Sequence, residues 1–249
     1  MSAWIGVGRS ETGLVRASNQ DAFAVINQTG VWAVADGMGG HVGGAVAAQT
    51  AISTVQTQAA FSQEQLHSGS VSPIDVLTAL INQAHEAILA RAHSQPKLKG
   101  MGTTLVLLMV IPDQASMAYV AHIGDSRAYR FRAGTLTPLT KDHSLIEKYL
   151  ERGILTPETA KTHPERHVLT RALGVSATAA PTISGFAMQE DDLVVLCSDG
   201  LTKMLEDQDI QHVLCDGDLN PASACDRLIA AALDRGGEDN VTVVVVAYR

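Results

Sequence analysis

The stretch "VWAVADGMGGHVGGAVAAQ", Val31 to Gln49, poses the fold problem. An apolar run stops at Asp36 and meets five glycines, Gly37, Gly39, Gly40, Gly43 and Gly44, within eight residues. Glycine is costly in ordered structure, so such a cluster marks backbone that turns sharply or approaches another group closely. Residues Gly44 to Gln58 are Ala-rich and read as a helix. The local expectation is a strand, a tight passage and a helix, with an aspartate held where the strand ends.

Comparable runs recur along the chain: "AWIGVG", "DAFAVI", "TTLVLLMVI", "ASMAYVAHIG", "SRAYRFR", "DLVVLCS" and "VTVVVVAY". Several are nearly continuous in apolar residues, which implies cover on both faces. Short connections, among them Pro112–Gln114 and the segment Arg132–Gly134, indicate antiparallel neighbours. Ser72 reads as the N-cap of a helix, with Pro73 in its first position and Asp75 completing a capping box. Leu77, Leu80, Ile81, Ala84 and Ile88 then recur at spacings of three and four and form one buried face. Asn220-Pro221 opens a similar helix, with Leu228, Ile229, Ala232 and Leu233 inside and Gly236-Gly237 as its stop. Two sheets with helices outside them is the layer arrangement that buries such strands and helices together. One domain, residues 1–249, is expected.

Two segments read differently. Phe61–Ser72 is polar and is expected to be a loop. Lys141–Arg171 is dense in charge; Leu145, Ile146, Tyr149 and Leu150 indicate a short helix, and the remainder a flap at the edge of a site.

Composition narrows the function. With 249 residues and 46% hydrophobic content the chain can bury a substantial core. A net charge of −8 without a basic block disfavours nucleic acid and anionic membrane as partners. The N-terminus lacks a basic segment followed by an apolar one, and no run reaches the roughly 18 apolar residues of a membrane span. No leader, tether or anchor is expected. Cys197, Cys215 and Cys225 form no C-x-x-C pair, and Cys197 sits in an apolar run, as a buried thiol does. A reducing, cytoplasmic setting fits.

Aspartates fall at strand boundaries: Asp21, Asp36, Asp125, Asp199 and Asp239. One Asp beside Gly is an ordinary turn signal. Five carboxylates gathered at one rim would repel each other unless cations hold them together. Oxygen ligands without nearby Cys suit Mg²⁺, Mn²⁺ or Ca²⁺ rather than Zn²⁺. Asp21, Asp36, Asp199 and Asp239 supply four negative charges, which two divalent ions balance. Nearby Arg16 then offers a fork-shaped cation to an anionic substrate.

Eight blocks occur in order: "GLVRASNQDAF", "VADGMGGHVGG", "GTTL", "HIGDSRAYRFR", "TKDHS", "LTRALG", "LCSDGL" and "GGEDNVTVVVV". This order resembles the metal-dependent protein phosphatases of type 2C, the PPM family, and its compact bacterial members in particular. The resemblance runs from Gly13 to Ala247. It implies an α+β fold, a four-layer α-β-β-α sandwich of two antiparallel sheets packed face to face and flanked by helices, and hydrolysis of phosphoserine and phosphothreonine with two Mn²⁺ or Mg²⁺ ions. By match to the family motifs, Asp21, Asp199 and Asp239 bind metal, Asp36 bridges the pair and Gly37 contributes its carbonyl oxygen. A water held between the ions then attacks phosphorus while Arg16 contacts the phosphate. The implied partners are phosphorylated proteins and a Ser/Thr kinase, with the chain as a monomer.

Three positions depart from the family pattern. Met38 stands where many relatives carry a His assigned as general acid; His41 is the candidate substitute, against a packing or solvent role. Gln20 replaces a Glu found in some relatives. Lys203 occupies a position often acidic, where the acidic residue and Asp125 can help hold a third ion; the ammonium counts against that third site, for which Asp125 is the candidate ligand.

Other motifs give plainer readings. No G-x-x-x-x-G-K-[ST] loop is present. No Cys is followed by Arg six residues later, so a cysteine phosphatase is excluded. His163 and His167 lie in "HPERH", where Pro164 disrupts a helical zinc pair, and read as flap residues. His122 reads as a satisfied strand histidine, and Cys215–Pro221 as a turn between helices. The rival functions are a catalytically weak phosphoprotein-binding or scaffold relative and a small-molecule phosphatase.

Overall fold

The computed structural model describes residues 4–39, 41–69, 71–111 and 116–248, and of His41 the backbone alone. The apolar runs become strands of at most eight residues that pair antiparallel throughout. The first sheet has the order β1 (Trp4–Glu11), β11 (Val241–Tyr248), β10 (Leu193–Cys197), β7 (Arg127–Arg132) and β8 (Thr135–Pro138). The second runs β2 (Asp21–Ile26), β3 (Val31–Met38), β5 (Leu105–Val110), β6 (Met117–Ile123) and β9 (Thr182–Ala187), with the short β4 (Gly102–Thr103) on the end of β3.

Side chains alternate across each strand, and here both faces are buried. Trp32 and Val34 of β3, Val106 and Leu108 of β5, and Val194, Leu196, Val244 and Val246 of β10 and β11 meet between the sheets. Their neighbours Val31, Ala33, Leu105 and Leu107 face the other way, onto α1 (His41–His67) and α2 (Pro73–Ser94). On the opposite side Leu193, Val195, Val243 and Val245 face α6 (Asp207–Cys215) and α7 (Pro221–Asp234). This is the expected α-β-β-α sandwich, and it explains why the central strands lack polar alternation. Full burial of one such side chain is worth about 1.5–3 kcal/mol.

The helix starts follow their caps. Ser72 Oγ accepts the Asp75 N–H at 3.2 Å and donates to Asp75 Oδ2 at 2.7 Å, while Asn220 Oδ1 accepts the N–H groups of Ala222 and Ser223. Cys197 and Cys225 are buried and Cys215 exposed, all three unpaired. His122 is buried in β6, its Nε2 at 2.7 Å from the Lys141 carbonyl oxygen.

Several expectations need correction. The Ala-rich helix extends on both sides and absorbs most of Phe61–Ser72, because Ser62, Gln63 and Leu66 are buried. Gln63 is the reason: its Nε2 donates to the Val110 carbonyl at 3.0 Å, a polar residue used to close the end of a strand. The segment Lys141–Arg171 holds the expected helix, α3 (Leu145–Glu151), and an unexpected second one, α4 (Pro157–Lys161), capped by Thr156. Its ends are tied down by His143 N–H to the Gly124 carbonyl and Thr170 N–H to the His143 carbonyl. Strands β8 and β9 were not expected, while α6 ends at Cys215, where the turn between helices was expected. The connection Pro112–Gln114 lies outside the described residues.

Candidate active site

The two sheets bring their chain reversals to one end. Asp21 opens β2 and is the register partner of Asp36 in β3. From the other sheet, Ser198 and Asp199 follow β10, and Asp239 and Asn240 precede β11. Ser198 joins the sheets: its Oγ donates to Asp21 Oδ2 at 2.7 Å and accepts the Thr242 N–H at 3.0 Å. Asn240 holds the loop that carries Arg16, with Nδ2 donating to the carbonyls of Thr12 and Ser18 and Oδ1 accepting the Gln20 N–H. Asp36 is fixed through its backbone, donating to Thr104 Oγ1 and accepting from Thr104 N–H and Thr103 Oγ1.

Two glycines permit this approach. A Cβ on Gly37 would lie 2.1 Å from the Gly44 carbonyl oxygen, so strand end and helix start touch backbone to backbone. A Cβ on Gly200 would lie 1.9 Å from the Asn240 carbonyl oxygen. That contact seats α5 (Asp199–Thr202) against the start of β11 and brings Asp199 beside Asp239.

The electrostatics are those of a crowded acidic cluster. Burial, chiefly, and then the charges of Asp199 and Asp239 raise Asp21 to about 7, against the opposing pull of the Thr242 and Ser198 hydroxyls. Burial and the neighbouring Asp21, Asp199 and Asp125 push Asp36 well above the carboxylate range. Asp125 is raised to about 7 by burial and by Asp199 and Asp142. Asp239 behaves oppositely: burial pushes it up, but Lys203 and Arg16 hold it below its ordinary value.

Lys203 Nζ stands 2.6 Å from Asp199 Oδ2 and 2.8 Å from Asp239 Oδ2. Arg16 makes a two-pronged contact with Asp239, Nε to Oδ1 and Nη2 to Oδ2, both at 2.9 Å. With these cations in place, among the described residues no three His, Cys, Asp or Glu side chains form a ready metal cage. The donor set still fits hard cations. Asp21 Oδ1 and Asp199 Oδ1 are buried and accept no hydrogen bond, which costs free energy unless a cation takes them.

A cavity of about 730 Å³ opens over this cluster. Arg16, Asp36, Gly37, Asp125, Asp199 and Asp239 line it, and Asp21 lies behind, joined through Ser198. The opposite wall comes from His167, Leu169, Thr170 and Arg171 at the end of the Lys141–Arg171 segment, and from Val175 just beyond it. His163 stacks edge-on against Tyr149 at 5.8 Å, away from any metal-like pairing with His167. The side chain of His41 lies outside the described residues. Ser198, Thr104 and Asn240 were not foreseen as site residues, although each sits inside a matched block beside a named aspartate or strand end.

The protein phosphatase 2C family model matches residues 9–233, nine-tenths of the chain. The chain belongs to the protein phosphatase 2C family. Among relatives of this type 2C family, it is 38% identical to the serine/threonine protein phosphatase PstP of Mycobacterium tuberculosis over 237 residues, 95% of this chain and 43% of that protein. It thus spans less than half the length of that relative. The serine/threonine phosphatase stp of Listeria welshimeri is 34% identical over 247 residues, covering 96% of this chain and 93% of the relative. The crystal structure of the PstP catalytic domain in complex with two manganese ions superposes with a TM-score of 0.84 at 34% identity, covering 100% and 99% of the two chains. Against the type 2C pattern the departures at Met38 and Lys203 both line the cavity.

Proposed function

We propose that this chain hydrolyses phosphoserine and phosphothreonine on proteins, opposing a Ser/Thr kinase, as a cytoplasmic monomer that uses two Mn²⁺ or Mg²⁺ ions. One observation carries the reading. Carboxylates from four separated segments reach one end of the sandwich, and two of their oxygens are buried without partners. A relative's catalytic domain with two manganese ions supports it.

Asp21, Asp36, Asp199, Asp239 and the Gly37 carbonyl would hold the ions, and Asp125 a weaker third. When bound, such ions supply Lewis acidity, which acidifies water and offsets charge on phosphoryl oxygens. The chain's own groups do the rest. The Arg16 guanidinium, which grips two oxygens of Asp239, has the geometry to grip two oxygens of a phosphate. Thr104 and Asn240 keep Asp36 and the Arg16 loop in place. The Lys141–Arg171 segment acts as the flap that walls the cavity and excludes water. Burial, followed by the charges of Lys203 and Arg166, lowers His167 from its ordinary value, against the pull of Asp199 and Asp239. His41 is retained as the candidate proton donor.

The test is phosphate release from a phosphothreonine peptide in Mn²⁺, beside sugar and nucleotide phosphates. Turnover should require Mn²⁺, stop on chelation and collapse in Asp199→Asn. No turnover at saturating Mn²⁺ transfers the chain to the phosphoprotein-binding class. Preference for the small phosphates transfers it to small-molecule hydrolysis.

A further inference from the structure

Lys203 is placed where a cation is needed. Its side chain leaves the end of α5 one turn after Asp199 and inserts its ammonium between carboxylates from two segments, Asp199 Oδ2 at 2.6 Å and Asp239 Oδ2 at 2.8 Å. Neither contact is an exposed surface pair, since the side chains retain 29%, 18% and 16% of their accessible surface for Lys203, Asp199 and Asp239. Arg16 takes the outer side of Asp239. Two cations thus face two carboxylates, while Asp199 Oδ1 stays without a partner. Without the ammonium, Asp199 and Asp239 would face each other as partly buried like charges.

We propose that Lys203 is a positioning residue for the metal centre: its ammonium holds Asp199 and Asp239 together before an ion arrives, and the arriving divalent cation must displace it. This rests on the metal reading above. An ammonium–carboxylate contact of 2.6–2.8 Å is longer than the roughly 2.0–2.1 Å that a small divalent ion such as Mg²⁺ demands. An ion bound to both Asp199 Oδ2 and Asp239 Oδ2 would overlap and repel the ammonium that bridges them, so the two compete for that gap. The ammonium thus has two effects of opposite sign. It stabilises the metal-free fold, and it weakens metal binding by competition.

The experiment uses the whole chain. Mn²⁺ affinity is measured by titration calorimetry, and melting temperature in EDTA, for the natural protein, Lys203→Met and Lys203→Arg. Lys203→Met should bind Mn²⁺ on the order of 5- to 150-fold more tightly, the usual span of coupling between two bound species. It should also melt at a lower temperature in EDTA. Lys203→Arg, which keeps the charge, should retain the weaker affinity. Lys203→Gln carries the same expectation as Lys203→Met if the latter does not fold. An unchanged or weaker Mn²⁺ affinity in the neutral variants overturns the proposal, and so does an unchanged melting temperature in EDTA. If no variant and not the natural protein binds Mn²⁺, the metal reading falls and this inference with it. Binding by all with equal affinity removes only the role of Lys203.

Discussion

Ser198 donates its hydroxyl hydrogen to Asp21 at 2.7 Å, a bond between residues 177 positions apart that links one sheet to the other. Asp21 Oδ1 already lacks a partner, so the Ser198 hydroxyl, with that of Thr242 nearby, steadies the carboxylate through its other oxygen. Ser198→Ala would take one donor from Asp21 Oδ2 and leave the Thr242 N–H without its acceptor. The expected cost is about 1–3 kcal/mol in urea unfolding, with weaker Mn²⁺ binding. A variant as stable as the natural protein would show that the bond is replaced by solvent.

Divalent ions should stabilise the fold, since they bind the assembled carboxylates and not the unfolded chain. At a hundred times the dissociation constant the gain is about 2.7 kcal/mol. The melting temperature should rise with Mn²⁺ and return on chelation, and Asp36→Asn should abolish the rise. A melting curve indifferent to Mn²⁺ would contradict the assignment of these carboxylates.

Gly200→Ala tests the seating of α5. The new methyl group would begin 1.9 Å from the Asn240 carbonyl oxygen, a backbone atom that cannot turn aside. A displacement costing about 1–3 kcal/mol is expected from overpacking, and Asp199 should move away from Asp239. Denaturant unfolding and Mn²⁺ titration of the same variant read the two effects. Natural values in both would mean that the helix start is free to shift.

His143 gives the fold an acid limit. Its Nδ1 accepts the Gly124 N–H, its Nε2 lies 2.9 Å from Thr182 Oγ1, and its ring stacks on His122 at 4.4 Å. Burial, above all, and then His122 and Arg171 push it from 6.5 to about 3. A histidine depressed in the folded state stabilises above its unfolded value and loses that contribution as pH falls. The window here is pH 6.5 down to about 3. Unfolding free energy should decline through that range, and the decline should be shallower by one proton in His143→Asn. Equal slopes for the two proteins would sink this account.

Much of the site was legible because its aspartates lie in short blocks fixed to strand ends. Asp21 and Asp36 announce themselves where "DAFAVI" begins and "VWAVA" stops, and burial on both faces of β3 follows from its unbroken apolar run. What escaped was polar residues used internally. Gln63 made a buried helix look like a loop, and Ser198, Thr104 and Asn240 act through partners far away in the chain. The edge strand β9, "TISGFA", has exposed residues on both faces and an internal glycine, so neither apolar continuity nor clean alternation marks it. Lys203 was visible as an odd residue at its position, but its grip on two carboxylates needed coordinates.

The place of β11 has a bearing on biogenesis. This strand sits between β1 and β10, so until residues 241–248 leave the ribosome those two strands have no neighbour to bridge them. Such long-range closure is slow, and open strand edges invite aggregation in the meantime. The same delay is a safeguard. On the function proposed above, a nascent or clipped fragment ending before Asp239 lacks a carboxylate of the cluster and would not hydrolyse phosphate esters.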